Sequence, residues 1–64
     1  MTHELNRMAI GEGFYWNGVH YVRTDLECVD TSKIIISGAH GFEQISGETL
    51  VKPDMKTFTY KVDR

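Results

Sequence analysis

The sequence predicts an all-β fold: one small domain built from about five antiparallel strands. Short runs of β-branched and aromatic residues alternate with Gly, Asn and Asp along most of the chain. Asn17-Gly18 separates two such runs by two residues, the strongest short-range signal for a β-hairpin. Helix signals are nearly absent, since Thr2 is followed three residues later by Leu5 rather than by the Glu or Gln of a capping box. We expect a small antiparallel barrel or a strongly twisted meander of the size of an SH3 domain, with a Greek-key barrel of the OB type as the alternative.

The length and composition fit one compact unit. The chain has 64 residues, of which 41% are hydrophobic and 25% are charged, values that are ordinary for a globular domain. A chain of this length forms at most one domain and has a small core. Residues 1–7 lack strand signals, so we predict a flexible N-terminal arm over 1–7 and a single β domain over 8–64.

The first hairpin has a register that the turn fixes. With Asn17-Gly18 as the two loop residues, Trp16 lies opposite Val19 and Tyr15 opposite His20, and continuation of the ladder would end at Ala9 opposite Leu26. Successive side chains of a strand point to opposite faces. Tyr15 and Trp16 therefore cannot enter the same core, and at least one aromatic ring near the tip should be exposed.

The remaining strands follow from composition and alternation. Lys33–Ser37 contains three consecutive isoleucines and is the predicted central strand. Phe42–Ile45 and Thr49–Val51 flank Ser46-Gly47 and are predicted to pair as a second hairpin. Thr57–Val62 alternates between apolar and polar residues, which is typical of a half-buried antiparallel strand.

Catalytic, metal and cofactor sites are not predicted. The single cysteine and the three histidines are isolated in sequence and lack the short paired spacing of zinc ligands. Cys28 lies in a segment with strand character, where a thiol is expected to act as a small hydrophobe. The Gly38–Gly41 segment has no lysine or helix after it, so it lacks the parts of a phosphate-binding loop. We therefore expect a protein that is not an enzyme and that uses no metal or cofactor.

Charge and cysteine content restrict the setting. The formal net charge of −2 provides no long-range attraction to nucleic acid. No apolar run approaches the roughly 20 residues that span a bilayer. The lone Cys28 excludes an internal disulfide and fits a reducing compartment, so we expect a cytoplasmic protein without membrane partners.

The aromatic hairpin tip is the predicted functional surface. Trp, Tyr and Arg are the residues that most often anchor protein interfaces, so another protein is the expected partner. Two alternatives remain open, a base-stacking surface for single-stranded nucleic acid and a subunit contact in a self-assembling protein. A fourth interpretation packs the whole tip into the core. The predicted partner-binding residues are Tyr15, Trp16, His20, Tyr21 and Arg23.

The segment Gly13–Arg23, which reads GFYWNGVHYVR, is similar to one in many small bacteriophage proteins of uncharacterised function. In these proteins an aromatic strand, an Asn-Gly turn and a Tyr-Val-Arg strand occur in the same order. The resemblance covers this hairpin alone. It implies a small accessory protein in the cytoplasm of an infected bacterium, acting as an inhibitor or modulator that binds a host factor.

Overall fold

The computed structural model describes residues 1–55, which form one antiparallel sheet of six strands. A 3-10 helix over Leu5–Arg7 follows the first strand. The strands are β1 His3–Glu4, β2 Gly13–Trp16, β3 Val19–Arg23, β4 Lys33–Gly38, β5 Gly41–Ser46 and β6 Leu50–Pro53. Their order in the sheet is β1-β6-β2-β3-β4-β5, so β2 to β5 form a meander and the predicted all-β fold is confirmed. Within residues 1–55, β1 and β5 are the two edges and the sheet is not a closed barrel.

The turn of the first hairpin has the predicted backbone conformation. Asn17 has a φ of 55° and Gly18 a φ of 77°, the two successive left-handed residues that a type I′ turn requires. The predicted register is confirmed over four residue pairs, from Trp16 opposite Val19 to Gly13 opposite Val22.

Beyond Gly13 the predicted register is wrong, because a β-bulge ends the ladder. The Gly11 N–H donates to the Arg23 carbonyl (2.8 Å), while the Arg23 N–H donates to the Glu12 carbonyl (3.1 Å). Two residues therefore oppose one, and Gly11 supplies the positive φ (92°) that such a bulge uses. The chain then turns, with the Glu12 N–H donating to the Ala9 carbonyl, instead of continuing to a pair between Ala9 and Leu26.

The predicted second hairpin is also wrong. Strand β5 pairs with β4 across the two-residue turn Ala39-His40, and β6 pairs with β1 and β2. A turn in which the Thr49 N–H donates to the Ser46 carbonyl redirects the chain between β5 and β6. Only three residues therefore connect the β5 edge to a strand near the opposite edge, which requires the sheet to curl.

The predicted flexible arm over residues 1–7 differs from the structure, because this segment is packed. Strand β1 pairs with β6, and the Leu5 side chain is fully buried. The N–H of Leu5 donates to the Thr49 carbonyl and that of Asn6 to the Gly47 carbonyl, both at 2.8 Å. Burial of the Leu5 side chain offsets part of the conformational entropy that is lost when this segment is ordered.

The core lies on one face of the curled sheet, which we call the core face; the opposite face is the outer face. The predicted strand at Lys33–Ser37 is confirmed as β4, one residue longer at Gly38, and its residue Ile36 is fully buried. Its predicted central place in the sheet is wrong, because within residues 1–55 β4 lies next to the edge strand β5 and the two central strands are β2 and β3. The predicted strand at 57–62 lies outside the described residues. The buried hydrophobic residues are Leu5, Met8, Phe14, Tyr21, Ile36 and Val51, and Trp16, Val19, Ile34 and Ile45 pack against them.

Candidate functional site

The two aromatic residues before the turn lie on opposite faces, as alternation predicts. Tyr15 is on the outer face, 43% exposed, and its ring makes an edge contact with His20 at a centroid distance of 5.0 Å. Trp16 is on the core face and half-buried, with its ring centroid 5.9 Å from that of Tyr21. Tyr15 is therefore the ring that the core leaves uncovered.

An open groove runs along the side of the hairpin tip, and we call it the tip groove. Tyr15 lies opposite Lys52 in the β2–β6 ladder, which ends at this pair. Leu50, two residues before Lys52, lies on the same outer face and is 61% exposed. Because the pairing between β2 and β6 ends at Tyr15, a space remains between the turn and the start of β6. The groove is lined by Tyr15, Trp16, Asn17, Gly18, Leu50 and Lys52.

His20 is held beside the tip groove by a contact with the end of β6. Its Nε2 lies 3.0 Å from Oδ2 of Asp54, a hydrogen bond that becomes an ion pair when the imidazole is protonated. The Asp54 N–H in turn donates to the Gly13 carbonyl at 2.9 Å. His20 thus contacts the Tyr15 ring on one side and the Asp54 carboxylate on the other, and the backbone of Asp54 is hydrogen-bonded to β2.

Tyr21 is placed in the core, although it belongs to the set predicted to bind a partner. Its ring stacks on Phe14 at a centroid distance of 6.1 Å, and only 6% of the residue is exposed. The phenol O–H donates to Oε2 of Glu43 (3.2 Å). Burial of the ring, together with this hydrogen bond and the carboxylate charge, raises the pKa of Tyr21 above its ordinary value.

Arg23 lies at the end of β3 away from the tip, where it holds the N-terminal segment. Its Nη1 donates to the carbonyl of Met8 and, at 3.5 Å, to that of Asn6. Glu12, which lies in the bulge opposite Arg23, is buried, and its Oε1 accepts a hydrogen bond from the Ala9 N–H (2.8 Å). The structure therefore brings Tyr15, Trp16 and His20 together and separates Arg23 from them.

Two groove residues were missed by the sequence prediction. Leu50 and Lys52 contribute to the groove only because β6 pairs with β2, a contact between residues more than thirty positions apart. The alternation of Leu50, Val51 and Lys52 was a usable local signal, since Val51 is buried while its two neighbours are exposed. That alternation predicts which face of the sheet Leu50 and Lys52 lie on, but it does not predict that β6 pairs with β2.

Within residues 1–55 no group of three or more His, Cys, Asp or Glu side chains is placed to hold a metal ion. No helix in the same range is long and apolar enough to cross a bilayer. Cys28 is half-buried, and its Sγ–H donates to Oε1 of Gln44 at 3.2 Å.

Comparison with protein-family models, with curated proteins and with solved structures gave no match to this chain.

Proposed function

We propose that the chain is a small, non-enzymatic protein-binding module that holds its partner in the tip groove. The observation that carries the proposal is the exposure of Tyr15 and Leu50 side by side in one groove, at 43% and 61%. Aromatic and aliphatic groups that stay exposed beside a polar rim are typical of interaction sites.

The groove is preorganised on rigid elements. Tyr15 belongs to a strand paired on both sides, and its ring rests against His20, whose position Asp54 fixes. Trp16 is anchored in the core by its contact with Tyr21. A partner that docks here orders few side chains, so less of its binding free energy is lost to conformational entropy.

The groove also indicates the chemistry of the partner. Leu50 and Tyr15 offer an apolar site for one inserted side chain, and Lys52 supplies a cation at its rim. A matching partner surface presents a protruding apolar residue next to an Asp or Glu. The resemblance of Gly13–Arg23 to phage proteins supports a bacterial host protein as this partner and the infected cytoplasm as the setting.

Base stacking on single-stranded nucleic acid has less support. Tyr21 is buried, and Tyr15 and Trp16 face opposite sides of the sheet, so the aromatic rings of the hairpin do not form one stacking surface. The net charge of −2 also weakens attraction to phosphates.

The test is quantitative affinity capture from bacterial lysate, followed by titration calorimetry with each captured protein after purification. Tyr15→Ala and Leu50→Ala remove exposed groove side chains. We expect each to weaken binding about ten-fold or more, as truncation of a central interface residue does. Lys52→Glu should weaken the same complex and reverse the sign of its salt dependence.

Ile10→Ala is the matched control, because Ile10 is 62% exposed and lies outside the groove lining. It should bind like the parent chain. Capture that Tyr15→Ala, Leu50→Ala and Ile10→Ala leave equally intact would overturn the proposal. A salt-sensitive quench of Trp16 fluorescence by an oligonucleotide, with no protein captured, would replace it with the nucleic-acid alternative.

A further inference from the structure

Strand β5 is a long, exposed sheet edge. All six of its residues pair with β4, and within residues 1–55 no strand pairs with its other edge. Five of the six residues are exposed, including Phe42 at 65%. Edge strands of soluble proteins are usually shortened, bulged or charged, because their unpaired N–H and C=O groups pair readily with another strand.

Hydrogen-bonded and non-hydrogen-bonded residue pairs alternate along the β4–β5 hairpin, and this alternation identifies which backbone N–H and C=O groups of β5 face the outer edge. The two-residue turn Ala39-His40 makes Gly38 and Gly41 the closing hydrogen-bonded pair, and such pairs then alternate along the ladder. The same alternation predicts that Ser32 and Gly47 form a hydrogen-bonded pair, and the Gly47 N–H does donate to the Ser32 carbonyl (3.0 Å).

It follows that alternate residues of β5 use their backbone groups on opposite sides. Residues 41, 43 and 45 bond to β4, whereas Phe42, Gln44 and Ser46 direct their N–H and C=O groups to the outer edge. The Ser46 carbonyl already accepts the Thr49 N–H. Within residues 1–55, three N–H groups and two carbonyls of β5 are thus left for a partner strand.

We propose that the chain forms a two-fold symmetric homodimer in which two β5 strands pair antiparallel, with Gln44 opposite Gln44 of the second copy. Residues opposite each other in an antiparallel pair must lie on the same face. Successive residues alternate in face, so a two-fold axis between identical strands passes through a residue and not between two residues.

The choice among possible axes follows from the side chains. An axis through Glu43 sets two like carboxylates directly opposite each other, which is unfavourable. Axes through Phe42 or Ile45 bring only three residues of each strand into register, since the chain turns away at His40 and Gly47. The axis through Gln44 pairs amide with amide and sets Phe42 opposite Ser46.

The Gln44 axis also matches the free backbone groups. Each Gln44 N–H donates to the Gln44 carbonyl of the other copy, and each Ser46 N–H donates to the opposite Phe42 carbonyl. The Gln44 side chain is oriented by Cys28, whose thiol donates to Oε1. This leaves the Nε2 hydrogens of each Gln44 to donate to the other amide across the axis. The proposed homodimer does not depend on the proposed function of the tip groove.

Amide hydrogen exchange of the full chain, followed by NMR from micromolar to millimolar concentration, tests the interface. We expect the Gln44 and Ser46 N–H groups to gain protection as concentration rises. Those of residues 43 and 45, which already donate to β4, should not change. Protection of Gln44 and Ser46 at every concentration would show that the chain itself covers this edge, and that result would overturn the proposal.

A charge swap at the axis tests the register. Gln44→Lys and Gln44→Glu each set like charges against each other, so each should raise the dimer dissociation constant in sedimentation equilibrium about ten-fold. Mixing the two variants should restore dimerisation, because Lys then faces Glu. Gln44 is exposed, so both variants should keep the parent circular dichroism spectrum.

Ile10→Lys and Ile10→Glu are the matched controls at an exposed position in the turn before β2. They should dimerise like the parent chain, alone and mixed. A strict monomer at millimolar concentration, or a mixture of the two Gln44 variants that dimerises no better than either alone, would contradict the proposed interface.

Discussion

The ring of Tyr21 covers Gly38, its partner on the neighbouring strand. A Cβ built on Gly38 would lie 2.6 Å from both Cδ1 and Cε1 of Tyr21 and 3.3 Å from the His20 carbonyl oxygen. Gly38 has an ordinary backbone conformation, so space and not φ requires glycine here. A ring that packs over a glycine on the adjacent strand fills the gap that the missing side chain leaves.

Gly38→Ala should destabilise the protein by about 1–3 kcal/mol, because the Tyr21 ring must move out of a packed core. Urea unfolding followed by Trp16 fluorescence measures the change. In a Tyr21→Ala background the same substitution should cost much less, and the double-mutant cycle should therefore show strong coupling. Additive effects would mean that the ring does not press on Gly38.

Local chemistry accounts for the parts of the fold that the sequence predicted. Asn17 and Gly18 are the residue types that best accept a left-handed backbone, so the turn and the four pairs beside it could be assigned without tertiary information. Alternation then placed Tyr15 and Trp16 on opposite faces. These inferences involve residues within a few positions of one another.

The errors share a non-local origin. The bulge at Gly11 and Glu12 depends on Arg23 across the hairpin, and β6 leaves β5 to pair with strands at the start of the chain. Leu5 gives no strand signal, yet it fills the core only because β6 is there to pair with β1. Leu50 and Lys52 were absent from the predicted site for the same reason, because they are far from Tyr15 in sequence.

The buried Leu5 and the exposed Leu50 form a natural comparison. Leu5→Ala should lower the free energy of unfolding by about 2–5 kcal/mol, the range for a fully buried leucine. Leu50→Ala, with its side chain largely in solvent, should change it by no more than about 0.5 kcal/mol. Chemical denaturation of both variants measures the difference. Equal small effects would mean that residues 1–7 behave as the flexible arm that the sequence predicted.

Arg23 should stabilise the N-terminal segment through the carbonyls of Met8 and Asn6. Arg23→Met keeps much of the stem and removes the donors, so we expect a loss of about 1–3 kcal/mol, the range for hydrogen bonds from a charged group. Amide exchange of Leu5 and Asn6, whose N–H groups donate to Thr49 and Gly47, should accelerate.

Arg7→Met is the control for this substitution, since Arg7 is exposed at the end of the 3-10 helix. It removes the same charge without removing those contacts. If Arg7→Met accelerated the exchange of Leu5 and Asn6 as much as Arg23→Met, the effect would come from net charge and not from the two carbonyl contacts.

The raised pKa of Tyr21 predicts that the protein loses stability at alkaline pH. Its pKa is raised in the folded state, so the unfolded chain releases the phenolic proton first, near the ordinary value of about 10. This contribution to the free energy of unfolding is fully present below that pH and is lost as the pH rises through the folded pKa. Unfolding by urea at a series of pH values up to the alkaline range measures the decline. Tyr21→Phe removes the phenol and should flatten this decline. An unchanged slope in Tyr21→Phe would assign the decline to other groups.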